Sequence, residues 1–415
     1  MSDISILSPE TWPFSLDLLP PPVYLVGGAV RDALLKRRAG YLDLDFILPV
    51  DAVKIAQKIA LHYQAGFVLL DAERQIARVL FEQATADFAQ QEGDSLETDL
   101  KRRDFTINAI AYNPHTGELL DPLQGCADLQ RGWLCMVSPA NLQDDPLRLL
   151  RAYRQAAQLD FQIEPNTQMM IRQLAPQIAL VAAERVRVEL GHLLDSSKGT
   201  PWLIAAWEDG LIGAWFNQAT SMGFAQLKAV DSAFAALAAI WANLGQELVQ
   251  AIRPSVKTSW LAIAKLASLV TADPVLAEVE LQHLKYSRAE IRAVTTALKS
   301  LPQLQSKPQS LQQQYLLFRD VGAVFPTIVV LAVATGTEIE AIAPLINRYL
   351  TPDDPVAHPI PLIAGKELMQ ALQLPPGPKV GELLTEIALA QVEGKVSTPA
   401  AALQLASKLV DQTIF

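Results

Sequence analysis

The alternation Leu42-Asp43-Leu44-Asp45-Phe46 constrains the fold of this chain more than any other stretch. In a strand, successive side chains point to opposite faces, so Leu42, Leu44 and Phe46 share one face while Asp43 and Asp45 share the other. A helix would scatter the same residues around its circumference and leave no apolar side to bury. Upstream, the apolar, β-rich segment Val23 to Val26 stops at Gly27-Gly28 and gives way to Ala29-Val30-Arg31-Asp32-Ala33-Leu34-Leu35, which has helical composition. The order is therefore strand, glycine turn, helix, acidic strand. Phe67 to Leu70 and Ile76 to Phe81 are further strand candidates, and Lys54 to Tyr63 fits an amphipathic helix between the acidic strand and these. Together these predict a small mixed α/β domain over roughly the first 135 residues.

Beyond about residue 140 strand signals fade and apolar residues recur at helical spacing, with breaks expected at Pro165, Pro201, Pro254 and Pro302. The rest is predicted to be helical throughout. Thr351-Pro-Asp-Asp-Pro followed by His358-Pro-Ile-Pro reads as a linker to a C-terminal helical unit. With 415 residues, half of them hydrophobic, the chain is too long for one core and divides into domains in series. The expected divisions are 1–138, 139–198, 199–350 and 351–415.

Cys126 and Cys135 are too few for a disulfide framework and form no zinc spacing, so they read as ordinary buried thiols. The N-terminus lacks the basic and apolar regions of a signal peptide, and no uninterrupted run of about 18 apolar residues is present, so a cytoplasmic location away from membranes is expected. A net charge of −10 argues against a nucleic-acid partner, since phosphate binding relies on Lys and Arg. Clustering opposes that argument: Arg31 with Lys36, Arg37 and Arg38, then Lys101 to Arg103, then Arg148, Arg151 and Arg154, all lie in the first 160 residues.

Two ionised carboxylates on one strand face repel unless a cation sits between them. Hard, oxygen-seeking Mg²⁺ suits Asp43 and Asp45 and would bridge them to phosphate oxygens. Alone, such a pair is more often a solvated surface feature. The Gly27-Gly28 turn supplies company, because a backbone without Cβ atoms lets a ligand come close and a following helix start offers free N–H groups to an anion. Arg31 can add a charge-assisted bond to phosphate or simply pair with Asp32. Lys101-Arg102-Arg103-Asp104 sets cations beside an acid, which fits either a polyphosphate site or a loop held by internal ion pairs.

Leu25-Val-Gly-Gly-Ala-Val-Arg-Asp followed by Leu42-Asp-Leu-Asp-Phe closely resembles the signature of class II tRNA nucleotidyltransferases and bacterial poly(A) polymerases. The resemblance continues through Leu96-Glu-Thr-Asp-Leu-Lys-Arg-Arg-Asp-Phe-Thr-Ile-Asn-Ala-Ile, Leu120-Asp-Pro-Leu-Gln-Gly, Asp144-Asp-Pro-Leu-Arg-Leu-Leu-Arg-Ala-Tyr-Arg and Ala183-Glu-Arg-Val-Arg-Val-Glu-Leu. It implies an α+β nucleotidyltransferase head of the DNA polymerase β type, followed by an all-α neck, body and tail. It also implies Mg²⁺ as cofactor, CTP and ATP as substrates, and tRNA as partner, with no stable protein partner.

By that resemblance Asp43 and Asp45 hold metal and act in catalysis. Gly27, Gly28, Arg31, Arg102, Arg103, Asp104 and Asn108 bind nucleotide, although an amide like that of Asn108 is equally well satisfied inside a helix. Asp145, Arg148, Arg151 and Arg154 recur every three residues along one slowly turning helix side. Asp145 before Pro146 suits an N-cap; in the family the matching Asp and first Arg read the incoming base. A carboxylate accepts from an exocyclic amine and a guanidinium donates to the adjacent ring nitrogen, which admits cytosine and adenine and rejects uracil and guanine. Arg151 and Arg154 would extend the site toward phosphates or hold the readers. Asp87 is the candidate for a third carboxylate that takes the proton of the attacking hydroxyl, with an exposed loop acid as the plainer reading.

Two departures from the commoner family pattern stand out. Asp144 replaces the usual glutamate, and the stretch from Phe88 to Ser95 is short where enzymes that complete CCA generally carry a longer flexible loop. The short stretch resembles that of enzymes adding only two cytidines. Poly(A) addition shares the same motifs, and a catalytically silent RNA-binding protein on this scaffold is the alternative from another class. In the C-terminal half, Lys285, Arg288 and Arg292 either meet backbone phosphates or form a solvated helix face.

Overall fold

The computed structural model describes residues 7–37, 40–216, 221–305 and 310–412. Arg38 of the first basic cluster lies outside the described residues. The head runs β1 (Tyr24–Val26), α1 (Gly28–Leu34), β2 (Leu42–Leu48), α2 (Ala52–Tyr63), β3 (Gly66–Asp71), β4 (Ile76–Leu80), β5 (Ala84–Gln90), α3 (Leu96–Leu100), β6 (Ala111–Asn113), β7 (Glu118–Leu120) and α4 (Gly125–Arg131). Its strands form one mixed sheet in the order β3-β4-β5-β2-β1-β6-β7. Within this sheet, among the described residues, only β2 and β5 pair in parallel, with α2, β3 and β4 forming the crossover that parallel pairing demands.

Period two decides which face of β2 is buried. Leu44, Phe46 and Leu48 are at most 1% exposed, and Phe46 stacks on Phe88 of β5 at 5.3 Å and meets Trp12 edge-on at 5.0 Å. Each aromatic contact adds about 0.5–1.5 kcal/mol beyond its burial. The opposite face of the same strand carries Asp43 and Asp45. Asp121 of the third motif accepts from the N–H groups of Gly125 and Cys126 at 2.7 and 2.9 Å, which caps α4. A Cβ on Gly125 would stand 2.3 Å from the Thr106 carbonyl oxygen, so the glycine permits this close approach. Both cysteines are half-buried, and burial pushes their thiols up to about 11 for Cys126 and about 12 for Cys135.

The same compact unit continues to Ala214 through β8 (Trp133–Leu134), α5 (Pro139–Asp144), α6 (Leu147–Leu159), β9 (Gln162–Ile163), α7 (Pro165–Leu174), α8 (Ala183–Asp195) and α9 (Gly199–Glu208). Leu149, Leu150, Tyr153 and Ala156 bury one side of α6, which packs on α8 and α9. The side left over carries Arg148, Arg151 and Arg154. Tyr153 donates its hydroxyl to Asp209, which also receives Gln168 at 2.9 Å and Arg172 at 2.6 Å.

A second unit starts at Trp215. It contains α10 (Ser221–Ile240), α11 (Ala242–Leu248), β10 (Ala251–Arg253), β11 (Val256–Ser259), α12 (Trp260–Leu269), α13 (Pro274–His283), α14 (Arg288–Gln305), α15 (Leu311–Val321), α16 (Phe325–Ala334), α17 (Ile339–Leu350), α18 (Gly365–Leu372), α19 (Pro378–Val392) and α20 (Pro399–Gln412). The expectation of helix throughout fails at two short strand pairs: the β10–β11 hairpin, turned by Pro254-Ser255, and β8–β9. The break expected at Pro302 is absent, because this proline falls in the last turn of α14, where it removes a single ladder bond close to the helix end.

Ser221–Ile240 and Leu311–Ala334 are long and apolar enough, by length and composition, to cross a membrane. This corrects the expectation drawn from uninterrupted apolar runs. Both serve the bundle: α10 packs against α16, α11 and α12, and its Asp231 pairs with the fully buried Lys265 of α12 at 2.8 Å. The Leu311–Ala334 stretch divides at Gly322 into α15 and α16. The linker after α17 is tied down, since Asp354 accepts from Arg348 at 3.1 Å and His358 bonds the Tyr349 carbonyl at 2.7 Å.

Candidate active site

A cleft of about 460 Å³ on the first unit is lined by Gly27, Gly28, Arg31, Asp43, Asp45, Arg103, Asp104, Asn108, Asp145, Arg148, Arg151 and Arg154, joined by Gln155 and Arg185. Every residue named from sequence lines it except Asp87 and Arg102. Strand β2 brings the two carboxylates, with Asp43 exposed and Asp45 half-buried. Asp43 accepts from the Thr85 hydroxyl at 2.6 Å. Gly27 has φ +73°, and a Cβ there would lie 3.0 Å from an Asp45 oxygen and 3.5 Å from an Arg103 nitrogen. A side chain at this turn would therefore push directly on the carboxylate.

Burial pushes the Asp45 carboxyl up to about 6 against the pull of Arg103, and the charges of Asp43 and Asp87 add to the rise. A carboxylate so placed lacks positive charge. Among the described residues no group of three or more His, Cys, Asp or Glu side chains is arranged to hold a metal ion. Mg²⁺ suits this donor set nonetheless, because it is usually held by one or two carboxylates and fills its remaining positions with phosphate oxygens and water.

Asp87 stands beside Asp45 in register on β5, but Arg78 of β4 forks onto both its oxygens at 2.7 Å. The pair holds the Arg78 guanidinium well above its ordinary value, chiefly through the hydrogen bond. Asp87 is thus a strand residue rather than a loop acid, and Arg78 engages one lone pair on each of its oxygens. Arg102 points to an adjoining cleft and pairs with Glu92 at 2.8 Å. Arg103 faces the carboxylates, lies 3.6 Å from Asp99, and its Nε has no hydrogen-bond partner among the described residues.

Behind the cleft a buried polar network joins head to helices. Arg31 donates to Asn108 at 2.8 Å and to Asp32 at 2.9 Å. Asn108 donates in turn to Asp104 at 2.9 Å and to Gln155 at 3.0 Å. Asp104 also receives Arg151 at 2.9 and 3.0 Å. Burial alone would raise its carboxyl, but the Arg151 charge and these hydrogen bonds outweigh that and hold it below the usual range. Arg151 and Arg154 converge on Glu189 of α8, which is 5% exposed. Both arginines are therefore tied to buried carboxylates while still lining the cleft. Gln155 and Glu189 were missed in the sequence, although Gln155 continues the Arg148–Arg151 stripe by one turn and Glu189 lies in the fifth motif.

Asp145 and Arg148 do not pair with each other. Asp145 receives a two-pronged bond from Arg185 of α8 at 2.9 and 3.1 Å. Its N-cap bond to Leu147 is long, at 3.4 Å. Arg148 donates one nitrogen to the carbonyls of Arg102 and Asn141 at 2.9 and 3.0 Å. Each is held from one side. A planar guanidinium keeps further N–H groups and a forked carboxylate keeps further lone pairs for a base. Asp144 ends α5 and lines the adjoining cleft.

The segment between β5 and α3 is short and pinned. Glu92 donates its backbone N–H to Asp99 at 2.9 Å, and Ser95 caps α3 by accepting from Thr98 at 3.2 Å. Gly93, at φ +82°, would as alanine bring its Cβ within 2.5 Å of the Thr98 methyl.

Comparison with known proteins agrees with this geometry. Residues 23–135 match the poly A polymerase head domain, 160–222 the RNA and SrmB-binding site of polymerase A, and 255–406 tRNA nucleotidyltransferase domain 2. The CC-adding tRNA nucleotidyltransferase of Synechocystis sp. is 51% identical over 96% of both chains. That of Geobacter sulfurreducens is 33% identical over 93% of this chain and 91% of its own. The A-adding tRNA nucleotidyltransferase of Deinococcus radiodurans is 32% identical over 95% and 97%. A CCA-adding enzyme solved with CTP shares the fold at a TM-score of 0.69 and 23% identity, covering 94% of this chain and 91% of that one. With a paired-carboxylate strand, a glycine turn and a braced Asp-Arg stripe in one cleft, and relatives matched along nearly its whole length, the chain belongs to the tRNA nucleotidyltransferase family.

Proposed function

We propose that this protein transfers CMP from CTP to the 3′ end of tRNA without a nucleic-acid template and stops after two additions. The observation that carries the reading is the convergence of Asp43, Asp45, Gly27, Arg103, Asp145 and Arg148 on one cleft. Gly27 and Arg103 admit and neutralise a triphosphate beside the carboxylate pair. Mg²⁺ held by Asp43 and Asp45 would supply charge neutralisation for the α-phosphate and the leaving pyrophosphate. Asp145 accepts from the exocyclic amine of the base while Arg148 donates to its ring nitrogen, and Arg185 and the two carbonyls hold these readers in place. Catalysis is positioning and electrostatics.

Termination after CC is supported by the pinned segment between β5 and α3 and by the CC-adding relatives at 51% and 33% identity. An enzyme of this kind acts in the cytoplasm, where its tRNA and nucleotides are. The test supplies purified protein and Mg²⁺ with tRNAs lacking CCA, ending in C, or ending in CC, and sequences the products. Cytidine addition to the first two and none to the third is expected. AMP addition to the third, or adenosine tails on any RNA, sinks the CC assignment; tRNA binding without incorporation sinks the enzymatic one.

A further inference from the structure

The body helix α14 has an asymmetry that catalysis does not use. Arg288, Arg292, Thr295 and Lys299 recur at intervals that keep to one helix face. The three cations are exposed. The sole acid of α14, Glu290, is 2% exposed and accepts from Thr258 at 2.6 Å and from the Ser287 N–H at 2.7 Å. Lys285, in the turn before α14, joins Arg288, Arg292 and Thr295 along a cleft of about 600 Å³ shared with α13. The acids of α13 are occupied: Glu278 accepts from Gln282 at 2.9 Å and Glu280 from the Thr271 N–H at 3.2 Å. Among the described residues none of Lys285, Arg288, Arg292 and Lys299 takes part in an ion pair.

A solvated helix of an acidic protein would be expected to intersperse both signs, as i,i+4 pairs do. On α14 itself the one negative group is turned inward and the exposed charge is of one sign, while the cleft also carries the exposed Glu278 of α13. At 1.5 Å per residue the cations from Arg288 to Lys299 span about 16 Å, the length of several successive phosphates on one strand of a duplex. We propose that this face of α14, with Lys285, is a docking surface for the phosphate backbone of the RNA substrate, contacting the duplex away from its 3′ end. The inference rests on tRNA being the substrate. It concerns affinity and registration, since phosphate contacts carry no base information.

The experiment measures binding of tRNA lacking CCA to the full chain by fluorescence anisotropy across a salt series. The parent is compared with a variant carrying Lys285→Gln, Arg288→Gln, Arg292→Gln and Lys299→Gln. Each phosphate contact contributes about 0.7 to 0.9 to the slope of log affinity against log salt. The variant is expected to lose about 3 units of slope, and up to about 3.6 if all four cations meet phosphate, with at least a tenfold loss of affinity at moderate salt. Its KM for CTP and its kcat at saturating tRNA stay at parental values. A companion variant with Arg288→Lys and Arg292→Lys keeps the slope, which rules out damage to the helix. An unchanged slope overturns the docking surface, as does weakened binding at constant slope. A parent that binds no tRNA overturns the functional reading instead.

Discussion

At Asp45 a proton and a divalent cation compete for the same oxygens. With the carboxyl pushed up to about 6, the metal-free folded protein holds more protons than the unfolded chain between about pH 4 and 6. Its stability therefore falls as pH rises through that window, and a cation restores what ionisation costs. Asp45→Asn is expected to raise the melting temperature of the chelator-treated protein at pH 8, with little effect at pH 4, and to abolish nucleotide incorporation. Equal shifts at both pH values would show that ionised Asp45 is not under strain. In the parent, thermal stabilisation by Mg²⁺ should weaken as pH drops below 6. The carboxylate pair and glycine turn were legible because they are contiguous in sequence. The fork of Arg78 on Asp87 was not, because it depends on the antiparallel register of β4 and β5, which places Arg78 directly opposite Asp87.

Among the elements, the turn between β1 and α1 has the least freedom. Gly27, at φ +73° and ψ −139°, occupies a region that costs other residues about 1–3 kcal/mol. Gly27→Ala is expected to lower turnover roughly a hundredfold, because its Cβ would press on the Asp45 carboxylate at 3.0 Å. Steady-state kinetics beside a melting curve checks this; a destabilised enzyme with parental kcat would make the glycine merely structural. In the segment between β5 and α3, Gly93→Ala should destabilise the head, with part of the loss recovered by Thr98→Ala as the methyl contact goes and the φ cost stays. Helical spacing put Arg148, Arg151 and Arg154, and Arg288 with Arg292, on helices, although Asp145 and Lys285 fall just before α6 and α14. It gave no sign of the β10–β11 hairpin, whose short strands are decided by a Pro-Ser turn. It also overstated Pro302, whose consequence depends on how much helix remains after it.

For the whole molecule, the proposed chemistry and the proposed phosphate contacts of α14 lie on separate residues. Asp43→Ala should therefore abolish incorporation while leaving tRNA affinity within about twofold, measured by anisotropy in the absence of nucleotide. A large loss of affinity would place the RNA end against the carboxylates in the ground state. Net charge, −10 overall, misled about the partner because it averages over a surface on which cations are grouped. The buried network of Arg31, Asp104, Asn108, Gln155, Arg151 and Glu189 has a bearing on descent as well as on shape. Each member except Glu189, which is held by Arg151 and by Arg154, is satisfied by two or more others, so a single replacement strands a polar group in its neighbours. Lineages should therefore keep these positions as a set or exchange them in concert, while the apolar shell around them drifts one residue at a time.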